Sequence, residues 1–98
     1  GWCAGLPVRS DPAAWAAAGR LVLAVGDGRA RQRLAAALAG RRFAVVRHPG
    51  ASMGPRGTLG DGAMLIGPAT VSVDVAVGAH ALINPGCGLA HDVRVGDF

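Results

Sequence analysis

Residues 59–95 read LGDGAMLIGPATVSVDVAVGAHALINPGCGLAHDVRV, and every sixth residue from the first is aliphatic: Leu59, Leu65, Val71, Val77, Ile83, Leu89 and Val95. A period of six belongs neither to an α-helix, with about 3.6 residues per turn, nor to an ordinary strand, with about two. It belongs to a solenoid of hexapeptide turns, in which each short flat face sends one aliphatic side chain inward. Four residues further on, the same register carries Ala63, Ala69, Val75, Ala81, Cys87 and Val93, all small or β-branched. Two inward positions per hexad predict a triangular coil of about 18 residues, one hexad to each face. Gly60, Gly78 and Gly96 recur at that coarser spacing, where a residue without Cβ takes either a positive φ or a tight corner. A parallel β-helix of about two complete coils is expected over residues 49–98.

Upstream the pattern changes. Residues 21–25 form an apolar run of strand length, Gly26-Asp27-Gly28 follows, and residues 29–38 carry a helical pattern that Gly40 stops. Residues 43–46 are a second apolar run, so the order is strand, glycine-bearing loop, helix, strand: a βαβ unit with a parallel sheet. Before it, residues 1–11 read as loop with a short extended piece near Leu6, and Ser10 or Asp11 caps a helix that runs through Ala18 and ends at Gly19. Pro49 holds His48 extended, and composition shifts there from Arg and Ala to Gly and Val. The expected organisation is an α/β domain at residues 1–48 followed by an all-β domain at residues 49–98.

The chain of 98 residues begins without methionine and stops as a new coil opens at Val95 and Gly96, so it is expected to be a fragment truncated at its C-terminal end. Coils bury their faces only against neighbours, and a stack of barely two is expected to be marginal alone. Lys+Arg total 10, every one an Arg, against six Asp, for a net charge of +4. With few aromatics and no dense Arg run on a nucleic-acid motif, this reads as compositional bias rather than nucleic-acid binding, and an anionic small-molecule ligand stays compatible with it. Two cysteines make no disulfide framework; Cys87 occupies an inward position as a small hydrophobe, and a reducing, cytoplasmic setting fits. No apolar run reaches the length of a membrane span.

Among residues able to carry chemistry, the loop at Gly26, Asp27 and Gly28 opens a helix N-terminus whose N–H groups suit phosphate, with Arg29 and Arg31 to add charge. It lacks the third glycine of a dinucleotide fingerprint, so a purely structural βα turn is the alternative. His80 reads as a solvated corner residue and His48 as a structural residue at the junction. His91 follows inward Leu89 by two positions and therefore points outward, next to Asp92; on a rigid face it can act as a general base, and the alternative is a surface histidine. No metal site is expected, because His80 and His91 lie eleven residues apart rather than one coil.

Taken together, Val25-Gly26-Asp27-Gly28 with Arg31, the His48-Pro49 junction, the phased hexads, and Asn84 with His91-Asp92 resemble the sialic acid O-acetyltransferase type of sugar acyltransferase, which includes the bacterial UDP-4-amino-sugar N-acetyltransferases. The resemblance implies a partial Rossmann-like domain, then a left-handed parallel β-helix, a homotrimer, and acetyl-CoA as acyl donor without a metal. It implies that His91 is the general base, that Asp92 supports the imidazole, and that Asn84 lines the acceptor cleft. Gly26, Asp27 and Arg31 would contact a sugar or nucleotide-sugar. Pro85 stands where a small polar residue is common in such proteins, and most acetyl-CoA contacts would lie in coils beyond Phe98, so the fragment itself is expected to be inactive. The alternative from another class is a noncatalytic β-helix fragment or assembly module that keeps the scaffold without a complete site.

Overall fold

The computed structural model describes residues 1–11, 14, 17 and 19–98. The helix expected through Ala18 falls almost wholly on residues outside those described. From residue 46 onward the chain consists of two-residue strands at six-residue intervals: β3 (Val46–Arg47), β4 (Ser52–Met53), β5 (Thr58–Leu59), β6 (Met64–Leu65), β7 (Thr70–Val71), β8 (Ala76–Val77), β9 (Leu82–Ile83), β10 (Gly88–Leu89) and β11 (Arg94–Val95). They form three parallel sheets, ordered β3-β6-β9, β4-β7-β10 and β5-β8-β11. Val46 pairs with Met64 and Met64 with Leu82, a register of 18 residues that the other two sheets repeat. Consecutive strands thus lie on different faces, and each pairs with the strand one coil away, a stacking compatible with a β-helix. The first strand of this stack lies at Val46–Arg47, so part of the second apolar run belongs to the coils.

From β4 onward the second residue of each strand packs on the core and the first is more exposed, as pleating requires, except in β6, where Met64 is buried as well; in β3 both residues are exposed. Leu65 is 0% exposed, Val71 2%, Val77 3% and Ile83 6%, and Ala63, Ala69, Val75 and Ala81 are buried beside them. Leu59, Cys87, Leu89, Val93 and Val95 pack half-buried against this cluster at its ends. Corners are made by one left-handed residue three positions after the inward aliphatic: Arg56 (φ 57), Gly62 (φ 72), Asp74 (φ 57), His80 (φ 57), Gly86 (φ 80), Asp92 (φ 63) and Phe98 (φ 57). The series skips Pro68, whose ring fixes a negative φ. Gly60 and Gly78 therefore do not supply positive φ. A Cβ on Gly60 would come within 2.6 Å of the Ala79 nitrogen, and one on Gly78 within 2.7 Å of the Asp97 nitrogen, so close approach of the next coil is what excludes a side chain.

The preceding segment is sparse in sheet. An antiparallel hairpin joins β1 (Trp2–Cys3) to β2 (Leu6–Pro7) through Ala4 and Gly5, both at positive φ, where a loop was expected. The helix α1 spans Gly28–Ala37, with Asp27 as N-cap and Gly40 in the left-handed conformation after its end. The two apolar runs beside it meet in a single parallel bridge, Leu21 to Phe43, with N–H···O bonds of 2.9 Å from Leu21 to Arg42 and from Ala44 to Leu21. The two apolar runs expected as strands on either side of α1 are joined by this single bridge only: residues 21–25 form no strand of two or more residues, and the bridge by itself does not establish a Rossmann sheet.

Candidate active site: an imidazole–carboxylate corner

The corner after β10 is closed by the Val93 N–H donating to the Ala90 carbonyl (3.4 Å), and it is tied to the coil below by the Asp92 N–H donating to the Val73 carbonyl (3.0 Å). Left-handed backbone at Asp92 suits Asp, whose short side chain tolerates that region. The turn aims both side chains outward, and His91 Nδ1 lies 2.7 Å from Asp92 Oδ2. Their side chains are 77% and 71% exposed. A carboxylate on Nδ1 favours the tautomer with its proton there, which leaves Nε2 as the acceptor facing solvent. Cys87 packs against the core, so the corner offers an imidazole rather than a thiol.

One coil below Asp92, at the same corner, stands Asp74, and one coil below that Arg56. Arg56 Nε donates to Asp74 Oδ1 (2.6 Å) and Nη2 to Oδ2 (2.8 Å), a fork on a carboxylate. This bonding holds the Asp74 carboxyl below its usual pKa and raises that of Arg56. Asp74 is therefore kept anionic in the tier beneath the His91–Asp92 pair. The signal for this tier was present in the sequence as Arg56, Asp74 and Asp92 at 18-residue spacing, which puts all three at one corner. Asn84 lies exposed on the neighbouring corner, after β9, where its carbonyl accepts from the Cys87 N–H (3.3 Å). The face carrying Gly88 and Leu89 separates it from His91 along the chain, and no hydrogen bond joins the two among the described residues.

The residues expected to meet a nucleotide or sugar are occupied in holding the fold. Asp27 Oδ1 accepts from the Ala30 N–H at 2.7 Å, so the N-terminus of α1 is capped by the chain's own carboxylate, which stands where a phosphate would bind. Arg31 is only 4% exposed, and its guanidinium donates to four main-chain oxygens: His80 through Nε (3.0 Å), Val25 (2.7 Å) and Gly26 (2.9 Å) through Nη1, and Phe98 through Nη2 (2.9 Å). Arg31, expected to contact substrate, is a tether between α1, the loop before it and the coils. Gly26 contributes its carbonyl to that tether.

His80 also departs from expectation. Instead of a solvated corner residue it is 6% exposed, edge-on to the Phe43 ring (centroids 4.5 Å apart, planes at 86°) and stacked on Phe98 (5.4 Å, 10°). It sits above Gly62, where a Cβ would collide with its ring. Its Nδ1 is buried without a hydrogen-bond partner. Burial, reinforced by Arg31, lowers its pKa against the opposing pull of Asp61 and Asp97. His48 is exposed, and its Nδ1 accepts from the Gly50 N–H at 2.9 Å, a structural role at the junction.

Fold and corner together define a class: stacked parallel strands bearing a solvent-facing histidine–aspartate pair. Comparisons with protein-family models, with curated proteins and with solved structures gave no match to this chain. Among the described residues no helix is long and apolar enough to cross a membrane, and no group of three or more His, Cys, Asp or Glu side chains gathers around a metal-sized site.

Proposed function

We propose that the chain is part of an acetyl-CoA-dependent sugar acetyltransferase of the hexapeptide-repeat class, with a left-handed β-helix, a Rossmann-like first domain, and His91 as general base. The observation that carries this reading is the outward His91 imidazole bonded through Nδ1 to Asp92 at 2.7 Å. Nε2 accepts the proton of the acceptor's amine or hydroxyl as that group attacks the thioester carbonyl. The thioester supplies the electrophile and the thiolate leaving group, so neither a metal nor a protein nucleophile is required, and Cys87 keeps its place in the core. Asp92 stabilises the imidazolium that forms.

The pair's exposure supports a second part of the reading. A base works best in a cleft that excludes water, and a single chain gives this pair no wall. A homotrimer would bring a neighbouring subunit's coils against the corner, with Asn84 available to the acceptor. The acceptor is a sugar or nucleotide-sugar.

The test is release of free thiol from acetyl-CoA by the protein that carries this chain, with amino- and hydroxyl-sugars as acceptors. His91→Ala is expected to lower kcat by about a hundredfold or more. Wild-type turnover in that variant would remove His91 from the mechanism.

A further inference from the structure

A second surface gathers charge away from the His91 corner. Arg20, Arg41 and Arg42 surround a depression lined also by Phe43, Val45 and Asp61. Arg20 immediately precedes Leu21 and Arg42 immediately precedes Phe43, so the parallel bridge brings the starts of both extended segments together and, with them, residues from either side of α1. The Gly26–Asp27 loop lies at the opposite end of the first segment. His91 lies at a different corner of the coils from Asp61, whose carbonyl accepts from the His80 N–H.

Three arginines and one aspartate are among the described residues that line it. Arg20 and Arg42 are exposed, and neither side chain hydrogen-bonds or ion-pairs with another described residue. Arg20 and Arg42, lining one depression without such partners, repel, and an anion with several oxygens offsets that repulsion while filling planar N–H forks suited to phosphate. Phe43 and Val45 add apolar wall, and the reduced polarity there strengthens charge-assisted bonds. The depression is concave and, among the described residues, draws on three arginines. The exposed arginines Arg9, Arg29, Arg33, Arg47, Arg56 and Arg94 are not in its lining, which favours a small ligand over a nucleic-acid strand.

We propose that the depression formed by Arg20, Arg41 and Arg42 binds a small phosphate-bearing ligand with two or more anionic oxygens. This site is independent of acetyl transfer and of His91. Calorimetric titration of the full chain with inorganic pyrophosphate at low ionic strength tests it. One saturable site is expected, with Arg42→Gln or Arg20→Gln weakening binding by about tenfold. Asp61→Asn, which removes the only acidic side chain among the described residues of the lining, is expected to tighten binding by about threefold, a gain that misfolding does not produce. Arg29→Gln, which changes net charge equally on the exposed side of α1, is expected to leave affinity within about twofold. The proposal is overturned if pyrophosphate does not saturate, if Arg29→Gln is as damaging as Arg42→Gln, or if a single-stranded oligonucleotide displaces pyrophosphate at equal phosphate concentration.

Discussion

His80 has a neutral ring enclosed by Phe43 and Phe98, with an orphaned Nδ1 that cannot take up a proton without desolvation cost. Asp61 and Asp97 face it and favour the charged form; Arg31 and burial oppose it, and burial dominates. The folded pKa therefore lies below the unfolded value of about 6.5, so the unfolded chain binds the proton first as pH falls. Stability from this group is fully present above that value and is lost progressively below it, until the folded-state pKa is passed. His80→Phe keeps an aromatic in the column and removes the titration. Its melting temperature should fall less than wild type's between about pH 7 and pH 5; parallel curves would show that His80 does not contribute. Arg31 is the second residue on which the junction depends. Arg31→Ala leaves four carbonyls without their donor and should cost roughly 3 kcal/mol by denaturant titration. A loss under about 0.5 kcal/mol, the size of an ordinary surface change, would contradict its role as tether. Neither residue's burial was legible from the sequence. His80 occupies a corner position that faces solvent in a bare coil, and what covers it is Phe43, from a segment far upstream. Arg31 looked like a ligand for phosphate because its acceptors are main-chain oxygens, which leave no trace in side-chain patterning. The outward direction of His91 was legible, because it follows from its offset to Leu89.

Coils and βα segment differ in how much each could specify by itself. The coil strands were readable because burial repeats: Leu65, Val71, Val77 and Ile83 meet the same requirement on successive faces, so each confirms the phase of the next. The helix α1 was readable to within a residue because its signals are local, a helical pattern and a glycine stop. Residues 21–25 were not, since an apolar run becomes a strand only when partners meet its backbone, and among the described residues one bridge at Leu21 does so. The glycine period was legible as spacing, while its cause was left between two options. Gly60→Ala decides that cause. Its Cβ would press on main-chain atoms of Gly78 and Ala79, which cannot swing aside, so β5 and β8 must separate and stability should drop by about 1–3 kcal/mol. The same change at Gly26, which nothing approaches within 4 Å, should cost less than about 1 kcal/mol. Equal losses at both sites would show that close approach is not the reason for the glycine.

The molecule as a whole is held by contacts between residues one coil apart, so its ladder has a signature that no helix or alternating sheet shares. The Ser52 and Gly54 N–H groups donate to the carbonyls of Ala69 and Val71, those of Thr58 and Gly60 to Val75 and Val77, and those of Met64 and Ile66 to Ala81 and Ile83. Thr70 and Ser72 continue the series onto Cys87 and Leu89, and Ala76 and Gly78 onto Val93 and Val95. Every acceptor in this set belongs to an inward-facing residue, so the hydrogen-bond ladder and the apolar ladder share one phase. That phase turns Cys87 in and His91 out, and a slip of one residue would reverse both. Residue-resolved amide hydrogen exchange measures it directly. The account predicts slow exchange at the strand amides two residues apart that repeat every six residues from Ser52 to Gly78, together with the bonded corner amides of Asp74 and His80, while the amides of the inward residues between each pair, such as Val71 and Val77, exchange faster. Fast exchange at these strand amides, with protection instead at the inward residues between them, would contradict the coil register and with it the placement of His91.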